Sequence, residues 1–387
     1  MNKKIHIRKD IVKIFSFFIF WRIILIIIMF LAIKFIPVGS TDKFLGGGYL
    51  NYHIAPEIFS WANFDGEHYL SISIFGYKGL EQAFFPVFPA LISFFAKPFS
   101  EDLFSSLLSS TIVGIFISNI SLILALIFLF DLISLDYSKK IAFFTIVILL
   151  LFPTSFYFGA VYNESLFLLL SVLSFYCARK NKWFLSSVFG SLSAVTRVFG
   201  ILLFPALLIE AYKQKVGFPK AVWLILIPFG LGLYMTYLYL TVGDPIAFYT
   251  NQRLVGEQHQ PGFTLLPQVY FRYIKMIFTV DNMNPIYQTI WLEFVTGLLF
   301  LALPVYGYFK KIRLSYLFFA LAGFILPTIQ GSLSSTPRYI LILFPSFLAL
   351  VLFLNNLPRI FQFVYILFSA IILAVETALF LRGYWVA

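Results

Sequence analysis

Cysteine and charged residues are scarce in this sequence. Its single cysteine, Cys177, lies in an apolar run, which excludes an internal disulfide framework and leaves the redox compartment undefined. Only 12% of the 387 residues are charged, whereas 60% are hydrophobic and 20% are aromatic. A composition this apolar does not suit a water-soluble globular domain, so it predicts an integral membrane protein.

The basic residues are arranged in a way that predicts topology rather than a nucleic-acid partner. The formal net charge is +11, but the positive residues gather in short clusters between hydrophobic runs. The positive-inside rule places all of these clusters in the cytoplasm. They are Lys3–Lys9, Lys139–Lys140, Arg179–Lys182, Lys213–Lys220 and Lys310–Arg313.

Apolar segments long enough to be membrane helices recur along the chain with no soluble domain between them. The sequence therefore predicts an all-α polytopic bundle of about 11 transmembrane helices, forming a single domain over residues 1–387. The first run is longer than a signal-peptide core and lacks a small-residue cleavage site, so we interpret it as a retained span. The predicted spans lie near 11–37, 107–130, 141–157, 161–178, 184–196, 198–212, 221–241, 287–309, 314–330, 338–356 and 359–381.

This topology predicts two large outer segments, at about 38–106 and 242–286. Both contain amphipathic, aromatic stretches that we expect to lie along the interface as helices. Between Arg179 and Lys213 an even number of crossings is required, which predicts a hairpin of two short helices with Arg197 at its tip. Arg22, within the first span, could snorkel to the interface or face the protein interior, and snorkelling is the preferred interpretation.

Most polar residues outside the basic clusters are predicted to lie on the outer side, at the ends of spans where a substrate cavity would open. These candidate site residues are Asp65, Glu67, His68, Asn163, Glu164, Arg197, Arg253 and Arg338. Arginines on the same side as a carboxylate could stabilise a phosphate leaving group in a site of low dielectric. Taken singly, each arginine could instead snorkel, with its charged group at the membrane interface.

The acidic residues leave further alternatives open. Asp65 and His68 would share one helix face and could act as a general base and its orienting partner, or they could simply begin a solvated helix. Asp65 and Glu67 have a spacing that could bind a divalent cation, although no metal or other cofactor is expected. Glu164 could favour a helix N-terminus through the helix dipole or could face the cavity.

Four motifs in order resemble the PIG-V type mannosyltransferases, which add the second mannose to glycosylphosphatidylinositol precursors, and their bacterial relatives. The motifs are "NFDGEHYLSISIFGY" with "AFFPVFP", then "FPTSFYFGAVYNESLFLLLSVLSFY", "SLSAVTRVFGILLFP" and "STPRYILILFP". Their order and spacing match the family across roughly residues 10–350. In this chain Phe64 stands where the commoner motif has Trp, and Asn163 where it has Ser.

The resemblance implies the GT-C glycosyltransferase architecture, with a catalytic acid in the first outer loop and a polyprenyl-phosphate sugar donor. Asp65 and His68 match the family's first-loop acid and histidine, while Asn163 and Glu164 fall in its "Y-S-E-S-L-F"-like stretch. Arg197 and Arg338 match its two arginines. We expect an inverting transfer of a hexose, with mannose as the leading candidate, to a lipid-linked or cell-surface glycan at the outer face of a bacterial plasma membrane, or in the endoplasmic reticulum if the protein is eukaryotic.

Two other classes of protein fit parts of the pattern. A transporter or flippase of a glycolipid or phosphate-bearing solute would explain intramembrane arginines, but not a carboxylate cluster in an outer loop. A purely structural membrane subunit would leave both outer segments without a role. Alternating access needs gates on both sides of the membrane, whereas all the candidate residues here are predicted to lie outside, so the sequence favours an enzyme.

Overall fold

The computed structural model describes residues 9–39, 52–251, 264–284 and 286–386. Helices of ten or more residues are labelled in chain order, and shorter helical turns are named by their residues. The labelled helices are α1 Lys9–Phe35, α2 Asp65–Phe75, α3 Val87–Ala96, α4 Leu103–Ile133, α5 Lys139–Leu150, α6 Glu164–Arg179, α7 Trp183–Ala194, α8 Leu203–Lys213, α9 Leu226–Val242, α10 Leu266–Thr279, α11 Ile286–Phe309, α12 Leu314–Thr328, α13 Phe344–Leu354 and α14 Arg359–Leu381.

The described residues contain helices and no strand, which confirms the all-α prediction. Five helical segments are long and apolar enough to cross a membrane by themselves: Lys9–Phe35, Leu103–Ile133, Phe218–Val242, Ile286–Phe309 and Arg359–Leu381. A sixth candidate is the pair Thr336–Ile342 and Phe344–Leu354, which is bent by 91°. The other predicted spans coincide with shorter helices, so a total of 11 crossings stays a prediction.

The hairpin expected between Arg179 and Lys213 is formed by two short helices. Helix α7 has 12 residues and α8 has 11, and a 3₁₀ turn at Val198–Leu202 precedes α8. Arg197 lies between α7 and this turn with an extended backbone (φ −163°, ψ 142°). The break therefore brings a charged side chain to the tip of the hairpin.

Small polar residues allow α6 and α7 to pack closely. The Ser174 hydroxyl donates to the Ser186 carbonyl at 2.7 Å, and the Ser186 hydroxyl donates to the Ser174 carbonyl at 2.8 Å. Gly190 on α7 meets Ile227 across the same region, where a Cβ would lie 2.8 Å from Ile227 atoms. Small residues and hydroxyl hydrogen bonds are typical of helix contacts in membranes, where lipid removes the hydrophobic drive for helix association.

The predicted cytoplasmic clusters contribute to an ion-pair network at one end of the bundle. Arg179 contacts Asp136 at 2.8 Å, and Arg313 contacts Glu210 at 2.7 Å. Arg313 also lies 3.6 Å from Asp136, so the last turns of α6 and α8 meet the connections that precede α5 and α12 at this end. Arg179 ends α6 and Glu164 begins it, which separates this network from the candidate site by about 22 Å at 1.5 Å per residue.

Arg22 faces the protein rather than the bilayer surface, contrary to the preferred interpretation from the sequence. Its guanidinium lies 4.1 Å from the centre of the Trp61 ring. A Cβ on Gly159 would lie 2.3 Å from Arg22 Nη1, so a glycine is needed where the guanidinium packs. The cation–π contact explains the inward orientation, because it stabilises a charge removed from water.

Candidate active site

Asp65 begins α2, and the chain approaches it through an unusual backbone conformation. The preceding residue, Phe64, has φ 60° and ψ −120°, a combination that residues other than glycine rarely adopt. Gly66 follows, and a Cβ there would lie 3.3 Å from the Val161 carbonyl oxygen. The strained entry and the close approach fix the start of α2 against the segment that precedes Glu164.

Arg338 contacts Asp65 from a distant part of the chain. Its Nη1 donates to Asp65 Oδ2 at 2.6 Å, and its Nη2 donates to the Tyr339 hydroxyl at 3.3 Å. Arg338 and Tyr339 both belong to the short helical turn Thr336–Tyr339. The hydroxyl of Thr154 donates to the carbonyl of Pro337 in this turn at 2.6 Å. The turn is thereby attached to the loop after α5.

Glu164 links the two arginines of the site. Arg197 Nη1 donates to Glu164 Oε1 at 2.7 Å, and Arg338 Nε lies 3.7 Å from the same oxygen. Asn163 accepts from Arg197 at 3.2 Å and donates to the carbonyl of Thr196 at 2.9 Å. Because Glu164 is also the first residue of α6, both sequence interpretations hold: its charge suits the helix N-terminus and its carboxylate faces the site.

These contacts form a continuous chain of alternating charges: Asp65, Arg338, Glu164 and Arg197. The side chain of Glu164 is 1% exposed and that of Arg338 is 6% exposed, whereas the side chain of Asp65 keeps 32% exposure. The buried members therefore hold one another, while the carboxylate of Asp65 stays open to a ligand. An arginine pair of this kind can also meet an anion through charge-assisted hydrogen bonds.

The charged chain lies on the wall of a cavity of about 470 Å³. That volume lies within the usual range for small-molecule sites, about 300–1,000 Å³. The lining residues are Asp65, Tyr69, Ala83, Phe84, Phe85, Asn163, Glu164, Arg197, Val198, Phe199, Phe248, Ile286, Leu326, Pro327, Gln330, Ser334, Ser335, Arg338, Tyr339 and Trp385.

Aromatic rings surround the arginines. The Tyr339 ring centre lies 5.0 Å from the guanidinium carbon of both Arg197 and Arg338, so one ring serves two cations. Tyr69 lines the cavity one turn after Asp65, and burial raises the pKa of its phenol well above the usual value, with Glu164 adding to the shift. Tyr69 therefore stays a neutral hydrogen-bonding group at physiological pH.

The structure brings together Asp65, Asn163, Glu164, Arg197 and Arg338 of the residues predicted from the sequence. Glu67 and His68 are not among the residues lining the cavity. The His68 ring stacks on Phe84 with centroids 4.6 Å apart, so it supports the cavity wall from behind. Arg253 lies outside the described residues.

The sequence pattern does not predict several of the residues that line the cavity. Trp385, near the end of the chain, packs edge-on against Phe64 with ring centroids 5.5 Å apart. Gln330 and Ser334 come from the loop between α12 and the turn that holds Arg338. Tyr69 could have been found, because a residue four positions after Asp65 occupies the same face of a helix.

A bundle of apolar helices with a row of carboxylates and arginines along a cavity wall defines the class as a multi-pass membrane protein with a charged cavity. The family profile for Mannosyltransferase (PIG-V) matches residues 9–215, more than half of the chain. The chain therefore belongs to the PIG-V mannosyltransferase family. Comparison with curated proteins gives no match.

Among solved structures, the chain is similar to the oligosaccharyltransferase of Archaeoglobus fulgidus. Against the complex with Zn and sulfate the identity is 15% and the TM-score 0.42, with 93% of this chain and 53% of that chain covered. Against the apo form the identity is 13% and the TM-score 0.43, with 95% and 56% covered. The chain thus spans about half the length of these structures.

Proposed function

We propose that this protein is an inverting GT-C glycosyltransferase that moves a hexose, mannose first among the candidates, from a polyprenyl-phosphate donor to a lipid-linked or cell-surface glycan. The observation that carries the proposal is the arrangement of Asp65 and Arg338. A partly exposed carboxylate and a buried guanidinium, 2.6 Å apart, share the wall of a cavity large enough for a sugar phosphate. A base and an anion-binding group within reach of one reacting carbon are what this displacement requires.

The proposed reaction is a single displacement at the anomeric carbon. Asp65 accepts the proton of the acceptor hydroxyl as that oxygen forms its bond to the anomeric carbon. The bond from the same carbon to the phosphate oxygen breaks on the opposite face, so the configuration inverts and polyprenyl phosphate leaves with the bonding electrons. Arg338 and Arg197 stabilise the charge that develops on the leaving phosphate.

The lining of the cavity suggests how the two substrates divide it. Val198, Phe199 and Leu326 form an apolar wall close to Arg197, which suits the first isoprene units behind the phosphate. On the Asp65 side, Trp385 packs against Phe64 and offers an aromatic surface to an acceptor sugar. The apolar wall therefore takes the donor and the Trp385 side takes the acceptor.

The remaining roles complete the same proposal. His68 orients the wall next to Asp65 through Phe84, Glu67 supports the same helix start, and Arg253 of the second outer segment contributes to substrate binding. The catalytic unit is the whole chain, its cavity opens at the outer face of a bacterial plasma membrane, and the reaction needs no metal ion. The lipid bilayer, the lipid-linked donor and the glycan acceptor are its partners.

The deciding experiment uses purified protein in nanodiscs, radiolabelled polyprenyl-phosphate-mannose and a lipid extract of the host. Wild type is compared with Asp65→Asn and with Glu101→Gln, which changes an exposed carboxylate of the same outer segment. Loss of a positioned general base costs about 10²–10⁴ in rate. We expect labelled glycolipid from wild type and Glu101→Gln, and a loss of that size in Asp65→Asn. Rates are normalised to the amount of folded protein, because the substitution also weakens the ion pair with Arg338.

Equal turnover by wild type and Asp65→Asn would contradict the role of Asp65 as the base. The transporter alternative is tested with the same protein reconstituted in sealed proteoliposomes, by following movement of intact labelled donor between leaflets. Movement of the donor without a new glycosidic bond would favour a flippase over the proposed enzyme.

A further inference from the structure

A buried carboxylate outside the cavity holds the loop that carries Arg338. Glu293 lies on α11, is 5% exposed, and does not line the cavity. Its Oε1 accepts from the backbone N–H of Ser335 at 3.0 Å, and its Oε2 accepts from the Tyr273 hydroxyl at 2.6 Å. Both partners are neutral groups.

The Ser335 contact stabilises a loop conformation that is unfavourable on its own. Ser335 has φ 59° and ψ 7°, the left-handed region, although it is not glycine. The helical turn Thr336–Tyr339 begins at this residue, and the N–H of Arg338 donates to the Ser335 carbonyl at 3.0 Å. Fixing the N–H of Ser335 therefore fixes the start of the turn from which Arg338 reaches Asp65.

The Tyr273 contact extends the same support to the rest of the loop. Tyr273 lies on α10, and its hydroxyl is 3.3 Å from the hydroxyl of Ser332, which accepts from the N–H of Ser334 at 2.9 Å. Ser334 and Ser335 both line the cavity. One carboxylate thus ties α10, in the second outer segment, and α11 to the loop that carries Arg338.

A carboxylate is a costly choice for this position. Burial of an ionisable group within a membrane helix is disfavoured, and such residues commonly serve function. A hydrocarbon side chain would avoid that cost but could accept neither hydrogen bond. Strain held by surrounding structure is typical of functional sites, where it fixes a reactive group in advance.

We propose that Glu293 is a positioning residue for the transfer reaction: it holds Ser335 in the left-handed conformation and so keeps Arg338 in register with Asp65 and the donor phosphate. The kinetic part of this inference rests on the proposed glycosyltransferase function. The structural part, support of the loop 332–339, does not.

The test compares Glu293→Gln and Glu293→Leu with Glu376→Leu. Glu376 is a matched control because it is also a buried glutamate in a long apolar helix, α14, and it lies outside the cavity. Glutamine keeps an oxygen for the N–H of Ser335 and an amide that can donate to Tyr273, whereas leucine removes both hydrogen bonds. Two readouts are taken: steady-state kinetics, and amide hydrogen exchange of peptides covering 332–339.

Displacement of a catalytic group by about 1 Å can cost about 10²-fold. We therefore expect Glu293→Leu to lower kcat about 10²-fold with little change in the KM for acceptor, and to speed exchange in 332–339 without a general rise along the chain. Glu293→Gln should stay within a few-fold of wild type in both readouts, and Glu376→Leu should change neither.

Three results would overturn the proposal. Glu293→Leu could keep the wild-type kcat, its exchange could rise uniformly over the chain, or Glu293→Gln could fail as severely as Glu293→Leu. If wild type transfers no sugar, the exchange measurement still decides whether Glu293 supports the loop, so failure of this inference can be told apart from failure of the proposed function.

Discussion

Arg338 and Asp65 are in contact at 2.6 Å, although they are 273 positions apart in the chain. The contact joins the start of α2 to the bent pair of helices Thr336–Ile342 and Phe344–Leu354. Because Arg338 is buried and Asp65 is partly exposed, the arginine holds the carboxylate at the edge of the cavity without covering it. In the proposed reaction, the acceptor would therefore meet a base already fixed beside an anion-binding group.

Replacement of Arg338 by lysine tests whether the planar guanidinium is needed. Arg338 contacts Asp65, Glu164 and Tyr339 at once, whereas a lysine ammonium is a point charge that cannot keep this fork geometry. Removing one electrostatic donor costs about 10²–10³ in kcat, so we expect a loss of that order for Arg338→Ala and a substantial loss for Arg338→Lys. Initial rates against donor concentration measure it.

Arg359→Lys is the control for this substitution, because Arg359 is an exposed residue at the start of α14. It should leave the rates unchanged. A wild-type kcat in Arg338→Lys would show that any positive charge suffices at this position, and that the fork geometry is not used.

Glu164 is expected to contribute to stability as well as to the site. Glu164→Gln leaves Arg197 and Arg338 buried with one fewer negative charge between them. Removing one partner of a buried ion pair destabilises proteins by about 3–5 kcal/mol, so the variant should unfold at a markedly lower temperature in detergent. Its activity should also fall, because the separation of the two arginines is no longer fixed.

A double-mutant cycle separates the pair from general damage. In Glu164→Gln with Arg197→Gln the unpaired Arg197 is gone and Arg338 keeps its contact with Asp65, so part of the lost stability should return while activity stays low. Contacting residues show coupling energies of about 0.5–3 kcal/mol. Strictly additive effects of the two substitutions would mean that the 2.7 Å contact does not couple them.

The sequence predicts the positions of the helices better than their relation to the membrane. Apolar runs mark helices reliably because a membrane requires internally satisfied backbone groups. Helices α7 and α8 have only 12 and 11 residues, so whether they cross the membrane depends on the neighbouring protein segments that cover their ends. The 91° bend after Ile342 does have a local signal, because Pro345 in the first turn of α13 lacks an N–H and cannot continue the preceding helix.

The sequence predicts which charged residues converge, but not which further residues the packing brings to them. The carboxylates and arginines at Asp65, Glu164, Arg197 and Arg338 converge on one cavity, as their shared side of the topology predicts. His68 does not reach the cavity, because the helix face that contains Asp65 turns Tyr69 toward it instead. Trp385 was missed, since only the return of the chain end to Phe64 places it there.

Gly200 is expected to be essential for the turn that follows Arg197. A Cβ at this position would lie 2.3 Å from the backbone nitrogen of Ala194 and from the carbonyl carbon of Ser193. Backbone atoms cannot move aside as a flexible side chain can, so Gly200→Ala must displace the 3₁₀ turn or α7. Overpacking costs about 1–3 kcal/mol or more, which thermal unfolding in detergent measures.

Gly232→Ala is the matched control, because α9 leaves open space around the position that a Cβ would occupy. Alanine is favoured over glycine in a helix by about 0.8–1.0 kcal/mol, so this variant should be at least as stable as wild type. Similar stability of the two variants would contradict the close approach of Gly200 to α7.

The backbone at Phe64 allows a comparison of two truncations that remove the same ring. Both Phe64→Ala and Phe64→Gly lose the contacts with Phe380 and Trp385. Only glycine adopts φ 60° and ψ −120° without strain. Such strain costs about 1–3 kcal/mol and the extra freedom of glycine in the unfolded chain costs about 0.5–1 kcal/mol, so Phe64→Gly should be more stable than Phe64→Ala by about 1 kcal/mol.

The same pair of substitutions at Phe94 should give the opposite order of stability, with the alanine variant more stable than the glycine variant. Phe94 lies within α3 and is largely exposed, so alanine there is favoured over glycine by about 0.5–1 kcal/mol. Unfolding midpoints of the four variants, measured in one detergent, decide the matter. If alanine were the more stable replacement at both positions, the residue before Asp65 would not be strained, and the fixed entry of the chain into α2 would need another cause.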